Sequence, residues 1–389
     1  MSRFYILKFL GNNISDLLSI PLRAHLFISK HTYRNKQNTP IKKILIIKLW
    51  GIGNIVLLLP ILKKINEQHG NADIYFLTLE SNRGLLENSP YIADVLYFTT
   101  NPLRIPIDFF RYMALSKRLN IDLLLNFEQC NKLSIIFSYL TGSKTRTGFE
   151  IAGCSYNLLY TDTAKNNAGR HVSENFMELG RKAGIYIDRY KYIPPYIDPT
   201  YKEKVKKILK EYGLGDKKIV VLHAGCGENF KGKRWGKENF AILADRLADT
   251  YDIDIVYTGV KNENELIADI ASKMRHKALN LCDKFTLKEL TEFLKYCLLF
   301  ISNDTGPLHI AISVGINTVG LYGPMNPLQY GSLNNNSLSF YKPMRCSPCL
   351  TDLNNKTSFC KKSICLDKIS PEEVFEKIST SFFNKNKDF

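Results

Sequence analysis

The sequence predicts an α/β protein made of two halves, each with a mostly parallel sheet. Three observations carry this. Short β-rich runs alternate with helical stretches from Lys43 onward, the rhythm stops in a polar stretch rich in Tyr and Pro over 188–199, and it then restarts. Alternating strands and helices imply right-handed crossovers and hence parallel pairing. A chain of 389 residues has room for two or three such domains. The boundaries expected are a basic extension over 1–40, a first domain over 41–195 and a second over 196–389.

In the first half, strands are expected over 43–49, 73–79, 94–98, 121–126 and 145–148, with helices after Gly53 and over 82–88, 106–119 and 132–140. A basic helix over 201–212 opens the second half. Strands over 219–223, 253–258, 298–302 and 317–321 follow, with helices over 237–250, 263–274, 287–296 and 307–314. In sheets of this kind ligands bind beyond the carboxyl ends of the strands, so the residues just after each strand are the informative ones.

Composition narrows the function classes. Hydrophobic content of 45% and charged content of 23% are those of a soluble globular chain, and the longest apolar runs, such as 55–62, are too short to span a membrane. Fifty-three Lys and Arg against 37 Asp and Glu leave a net charge of +16, which points to an anionic partner: nucleic acid, acidic lipid or a phosphorylated small molecule. No nucleic-acid motif accompanies the charge. Residues 1–40 carry six basic residues and one acid, Asp16, among apolar positions at partly helical spacing. They read either as a contact with an anionic membrane surface or as an extension packed on the first domain. With no secretory signal and nine cysteines, an odd number, the expected compartment is the cytoplasm.

Four strand-to-helix turns carry the chemistry. Lys48-Leu49-Trp50-Gly51-Ile52-Gly53-Asn54 begins like a dinucleotide fingerprint, but Val56 stands at its third glycine position and no acid ends the second strand, so nicotinamide cofactor binding is demoted. His223-Ala224-Gly225-Cys226-Gly227 leads to Lys231-Gly232-Lys233-Arg234-Trp235, where small residues admit a ligand to the backbone and clustered cations suit phosphate oxygens. Thr258-Gly259-Val260-Lys261-Asn262-Glu263 places an acid where a helix opens, as a helix dipole alone would favour. In Ser302-Asn303-Asp304-Thr305-Gly306-Pro307-Leu308-His309, either Asp304 or Thr305 caps the helix that Pro307 begins. The amides around Thr305 and Gly306 form an anion site there, and His309 lies one turn in.

In this order the motifs resemble glycosyltransferase family 9, the heptosyltransferases of bacterial lipopolysaccharide assembly. The resemblance runs from about Lys43 to Ile378, and its most specific parts are Lys233-Arg234-Trp235, the run from Asn303 to Ala311, and Gly320-Leu321-Tyr322-Gly323-Pro324. It implies a GT-B fold of two Rossmann-like domains facing a central cleft, the first binding the acceptor and the second the nucleotide-sugar, ADP-heptose by the family's name. The transfer it implies is inverting and metal-independent, with no cofactor, to a glycolipid or glycan acceptor at the inner face of the cell membrane. By position Lys233 matches a phosphate-contacting lysine, Glu263 a nucleoside-contacting acid, and Asp304, Thr305, Gly306 and His309 a diphosphate loop.

One position departs from the pattern. Where the resemblance implies an Asp that deprotonates the acceptor, this chain has Asn54, and an amide cannot accept that proton. Glu128, just after the strand over 121–126, is the substitute; the alternative is that it merely caps the next helix. If no base serves, the chain is a nucleotide-sugar-binding subunit, and a nucleotide-sugar epimerase on the same fold is a further rival. Finally, Cys346, Cys349, Cys360 and Cys365 either enclose a structural zinc or remain thiols.

Overall fold

The computed structural model describes residues 40–384, apart from 100, 102, 228–231, 352–359 and 361–362. The basic extension up to residue 39 and Lys231 lie outside the described residues. The chain divides into two compact units at Lys191/Tyr192.

In the first unit, strands β1 (Lys43–Ile47), β2 (Asp73–Leu79), β3 (Asp94–Phe98), β4 (Leu123–Asn126), β5 (Thr145–Glu150) and β6 (Asp162–Lys165) form one parallel sheet in the order β3-β2-β1-β4-β5-β6. Helices α1 (Ile52–Gln68), α2 (Arg83–Leu86), α3 (Ile105–Leu119), α4 (Lys132–Leu140) and α5 (Val172–Lys182) accompany it. The central strands are apolar runs buried on both faces, as a sheet covered by helices requires: Ile44 through Ile47 and Leu123 through Leu125 are all core. The edge strand β6, Asp-Thr-Ala-Lys, buries only Ala164.

The second unit repeats the plan. Strands β7 (Lys218–His223), β8 (Ile253–Tyr257), β9 (Leu279–Asn280), β10 (Cys297–Asn303), β11 (Asn317–Tyr322) and β12 (Ser337–Tyr341) pair in parallel in the order β12-β11-β10-β7-β8-β9. Its helices are α6 (Thr200–Glu211), α7 (Lys237–Thr250), α8 (Asn264–Ser272), α9 (Leu287–Leu294), α10 (Gly306–Val314), α11 (Pro327–Tyr330), α12 (Ile364–Asp367) and α13 (Pro371–Ile378). The two-domain α/β class expected from the alternation is the class observed.

Each sheet has one place where the winding reverses: between β1 and β4 in the first unit, and between β7 and β10 in the second. The connections leave these neighbouring strands in opposite directions and open a crevice beyond their carboxyl ends. The turns after β1 and β4, and those after β7 and β10, therefore sit where a ligand is best received.

Candidate functional site

In the first unit, the turn after β1 is held open by a residue from the turn after β4. Glu128, nearly buried, accepts through Oε1 from the backbone N–H of Leu49 at 2.6 Å and of Trp50 at 3.1 Å. The same oxygen lies 3.4 Å from Nζ of Lys48, a buried lysine that also donates to the Phe127 carbonyl at 3.1 Å. Asn126, the last residue of β4, orients the acid from below: its Oδ1 accepts from the Glu128 N–H, while its Nδ2 donates to Ser134 and Ser138 on α4. Among the described residues, Oε2 of Glu128 takes part in none of these bonds. The alternative reading of Glu128 as a helix cap is not what is found, because Asn131 caps α4 by accepting from the Ser134 N–H.

Asn54 lies in the first turn of α1 on the same edge of the sheet. Its amide packs over Gly51, whose φ of 89° favours glycine and whose would-be Cβ would lie 3.1 Å from Nδ2. Asn54 Oδ1 is buried with no hydrogen-bond partner, a costly state for an amide oxygen. Burying such an acceptor makes sense where a donor arrives from outside the chain, and a hydroxyl of a bound substrate is one such donor.

In the second unit the turns after β7 and β10 converge. Lys233 Nζ donates to Asp304 Oδ2 at 2.6 Å, and His309 Nε2 stands 3.9 Å from Asp304 Oδ1. Asn303, the last residue of β10, ties the two turns together. Its Oδ1 accepts from the Trp235 N–H at 2.9 Å, and its Nδ2 donates to the carbonyls of Ala224 and Gly225. Thr305, rather than Asp304, is the cap of α10: its Oγ1 accepts from the Leu308 N–H and meets Ser302 Oγ at 2.9 Å. Gly306 and Pro307 open the helix, so its dipole and free amides point out beside Lys233 and His309.

Glu263 sits on the other side of the Gly225 turn. Its Oε2 accepts from the Val260 N–H at 3.1 Å and its Oε1 from the Gly227 N–H at 3.4 Å. A Cβ at Gly225 would overlap this carboxylate, and one at Gly259 would press on both it and the Cys282 sulfur. The glycines thus admit the acid into the strand ends. His223, at the end of β7, is buried and bonded to Thr258 through Nδ1 at 3.2 Å; burial holds its imidazole pKa below the usual value, with the Glu263 charge opposing that shift. Trp235 is a core anchor, not a ligand platform: its ring is buried against Phe240 and its Nε1 donates to the Ile369 carbonyl.

The structure therefore brings Lys233, Asp304, Thr305, Gly306 and His309 together, with Glu263 across the Gly225 turn, and it brings Glu128 and Asn54 to one sheet edge. Sequence reasoning passed over Asn126 and quoted Lys48 and Asn303 within motifs without giving them a role; all three hold these groups in place. The signal available was their position: each is the last residue of a central strand or follows it directly. Of the cysteine cluster, Cys365 is buried, Cys346 and Cys360 are exposed, and burial raises the Cys365 thiol pKa. Among the described residues no group of three or more His, Cys, Asp or Glu is disposed to hold a metal ion.

Comparison with known proteins identifies the class. The model of glycosyltransferase family 9 (heptosyltransferase) matches residues 113–359, and the chain belongs to this family. That span includes Glu128 and every candidate donor-site residue of the second unit, and it ends before Cys360 and Cys365. The chain is 34% identical over 166 residues to lipooligosaccharide heptosyltransferase 2 of Campylobacter jejuni, a match over 42% of this chain and 51% of that protein. It thus spans about half the length of that relative. Lipopolysaccharide core heptosyltransferase OpsX of Haemophilus influenzae is 24% identical over 312 residues, 77% of this chain and 85% of that one. Among solved structures, a family 9 glycosyl transferase from Veillonella parvula superposes with a TM-score of 0.73 at 20% identity over 88% of this chain and 97% of its own. E. coli ADP-heptose heptosyltransferase II does so with 0.69 at 17% over 88% and 98%. These likenesses establish the GT-B fold.

Proposed function

We propose that this chain is an inverting glycosyltransferase that moves a heptose-type sugar from a nucleotide-diphosphate donor to a lipopolysaccharide core or related cell-surface glycan. The observation that carries the proposal is the second unit's strand-end cluster, in which Lys233 and His309 both approach Asp304 just before the amide-bearing start of α10. A diphosphate needs cations and N–H donors held in advance, and it gains most from them as the glycosidic bond breaks and charge builds on the leaving group. Lys233 would exchange its Asp304 partner for a phosphate oxygen, and the α10 amides would receive the other phosphate. Glu263 would take the ribose, which offers hydroxyl donors to an acid.

The base is assigned to the first unit. Glu128 would remove the acceptor hydroxyl proton through Oε2, since Oε1 is engaged with the turn amides and Lys48. Asn54, whose amide oxygen lacks a partner, would orient a hydroxyl of the acceptor. The nucleotide is assigned from the names of relatives: the E. coli heptosyltransferase WaaC has been solved with ADP and with ADP-2-deoxy-2-fluoro heptose, so ADP-heptose is the donor to try first. The place of action would be the inner face of the membrane as a peripheral protein; among the described residues no helix is long and apolar enough to cross one.

The test is acceptor-dependent release of ADP by the full-length protein given ADP-heptose and a heptose-deficient lipopolysaccharide acceptor. Release only when both substrates are present, and its loss with Lys233→Ala, supports the reading. Donor binding without release under any acceptor would leave a binding subunit, and isomerised donor without acceptor would leave an epimerase.

A further inference from the structure

The first unit exposes an apolar stripe that its own core does not use. Leu103 is 85% exposed, Ile107 65% and Phe110 62%, three large apolar side chains where a free-standing domain surface would carry polar ones. They fall at i, i+4 and i+7 on α3 and the residue pair before it, and so form one line along the helix. The opposite face of α3 buries Tyr112 and packs Phe109, Met113 and Leu119 into the core against Leu45, Leu77 and Leu124.

Cations border the stripe. Arg104, Arg111 and Arg118, seven residues apart, run along one side, and Lys117 lies on the other; all four are exposed. None of the four forms an ion pair among the described residues; Arg111 lies 5.7 Å from the Tyr112 ring. The helix has one acid, Asp108, and its carboxylate is occupied by the Thr99 N–H at 2.9 Å. Because α3 starts after the carboxyl end of β3, its first turns stand at the sheet edge that also carries Lys48, Asn54 and Glu128.

We infer that this face of α3 is a docking surface for an anionic lipid bilayer. The occupant follows from the chemistry. A line of aliphatic and aromatic tips flanked by unpaired arginines matches a lipid interface, where apolar side chains sink below the headgroups and guanidinium groups stay with the phosphates. A nucleic acid offers nothing to Leu103 and Ile107, and an acidic protein surface offers little to three adjacent apolar tips. The inference goes beyond the transfer reading and stands without it. Joined to that reading, it sets the candidate base edge toward the surface in which a lipid-anchored acceptor would lie.

The experiment is flotation of the full-length protein with vesicles of phosphatidylcholine alone and of phosphatidylcholine with phosphatidylglycerol. Wild type is expected to float with the anionic vesicles and far less with the neutral ones. Arg104→Gln/Arg111→Gln/Arg118→Gln should weaken anionic binding about 100-fold. Leu103→Ser/Ile107→Ser/Phe110→Ser should weaken it about tenfold or more, with melting temperature and donor binding unchanged. In an otherwise intact Phe110→Trp variant, brominated acyl chains should quench the added indole. Flotation of both triple variants like wild type overturns the inference, as does absence of quenching while the protein is bound. So does a failure of wild type to bind anionic vesicles. A fall in oligomeric mass by light scattering in the apolar variant, without vesicle binding by wild type, would instead assign the stripe to a second copy of this chain.

Discussion

The proposed chemistry rests on Glu128 and Lys233, and their surroundings set what a substitution does. Glu128→Gln keeps a side-chain oxygen for the Leu49 and Trp50 amides but cannot take a proton. Turnover should fall by about 10²- to 10⁴-fold in a steady-state transfer assay, while donor affinity stays near wild type. Asn54→Asp should then add little, and restored activity in an inactive wild type would move the base to that position. Lys233→Ala would remove the proposed charge-assisted phosphate contact, worth roughly 1.5–3 kcal/mol, and also leaves Asp304 without its 2.6 Å partner. Donor Kd, measured by calorimetry, should rise by about tenfold or more. Gly225→Ala would drive a methyl into the Glu263 carboxylate and should impair donor binding and lower stability by about 1–3 kcal/mol in urea titrations. These residues were legible in the sequence as positions after strands. Their partnerships were not: Glu128 meets the turn amides from 79 residues away, a separation only the folded sheet closes.

At the scale of elements, the strongly apolar central strands and long helices were readable because their burial leaves a period in the sequence. Strand β2 and helices α4 and α7 occupy the residues the pattern predicted, and so does β3, an edge strand that buries only Leu96. The edge strands β6 and β12 were not anticipated, since an edge strand needs few apolar residues and β12 has no fully buried one. Helix α5 was missed although Val172, Phe176 and Leu179 stand at helical spacing and are all buried. Strand β7 also carries a consequence for pH. Its terminal His223 has a pKa lowered from 6.5 by burial, so the unfolded chain takes up that proton first as pH falls. The folded state is therefore fully favoured above about pH 6.5 and loses stability as pH drops below it. In urea melts, the loss between neutral and acidic pH should be smaller in His223→Asn than in wild type.

For the molecule as a whole, family membership, the repeated doubly wound plan and the two strand-end crevices agree on one kind of chemistry. The two halves were legible because the alternation of strands and helices stops and restarts. The basic surplus of +16 pointed only to an anionic partner, and α3 now gives part of it a place. If leaving-group stabilisation comes from Lys233 and the α10 amides, transfer by the purified protein should survive EDTA. A drop in melting temperature with EDTA would instead mark a structural metal at the cysteines. The most direct measurement is the anomeric configuration of the product by proton NMR, after the full-length protein has turned over ADP-heptose with a heptose-deficient lipopolysaccharide. The account predicts a single heptosylated product, inverted at the anomeric carbon relative to the donor, with one ADP released for each bond made. Retained configuration, or no product from a protein that binds the donor, would contradict it.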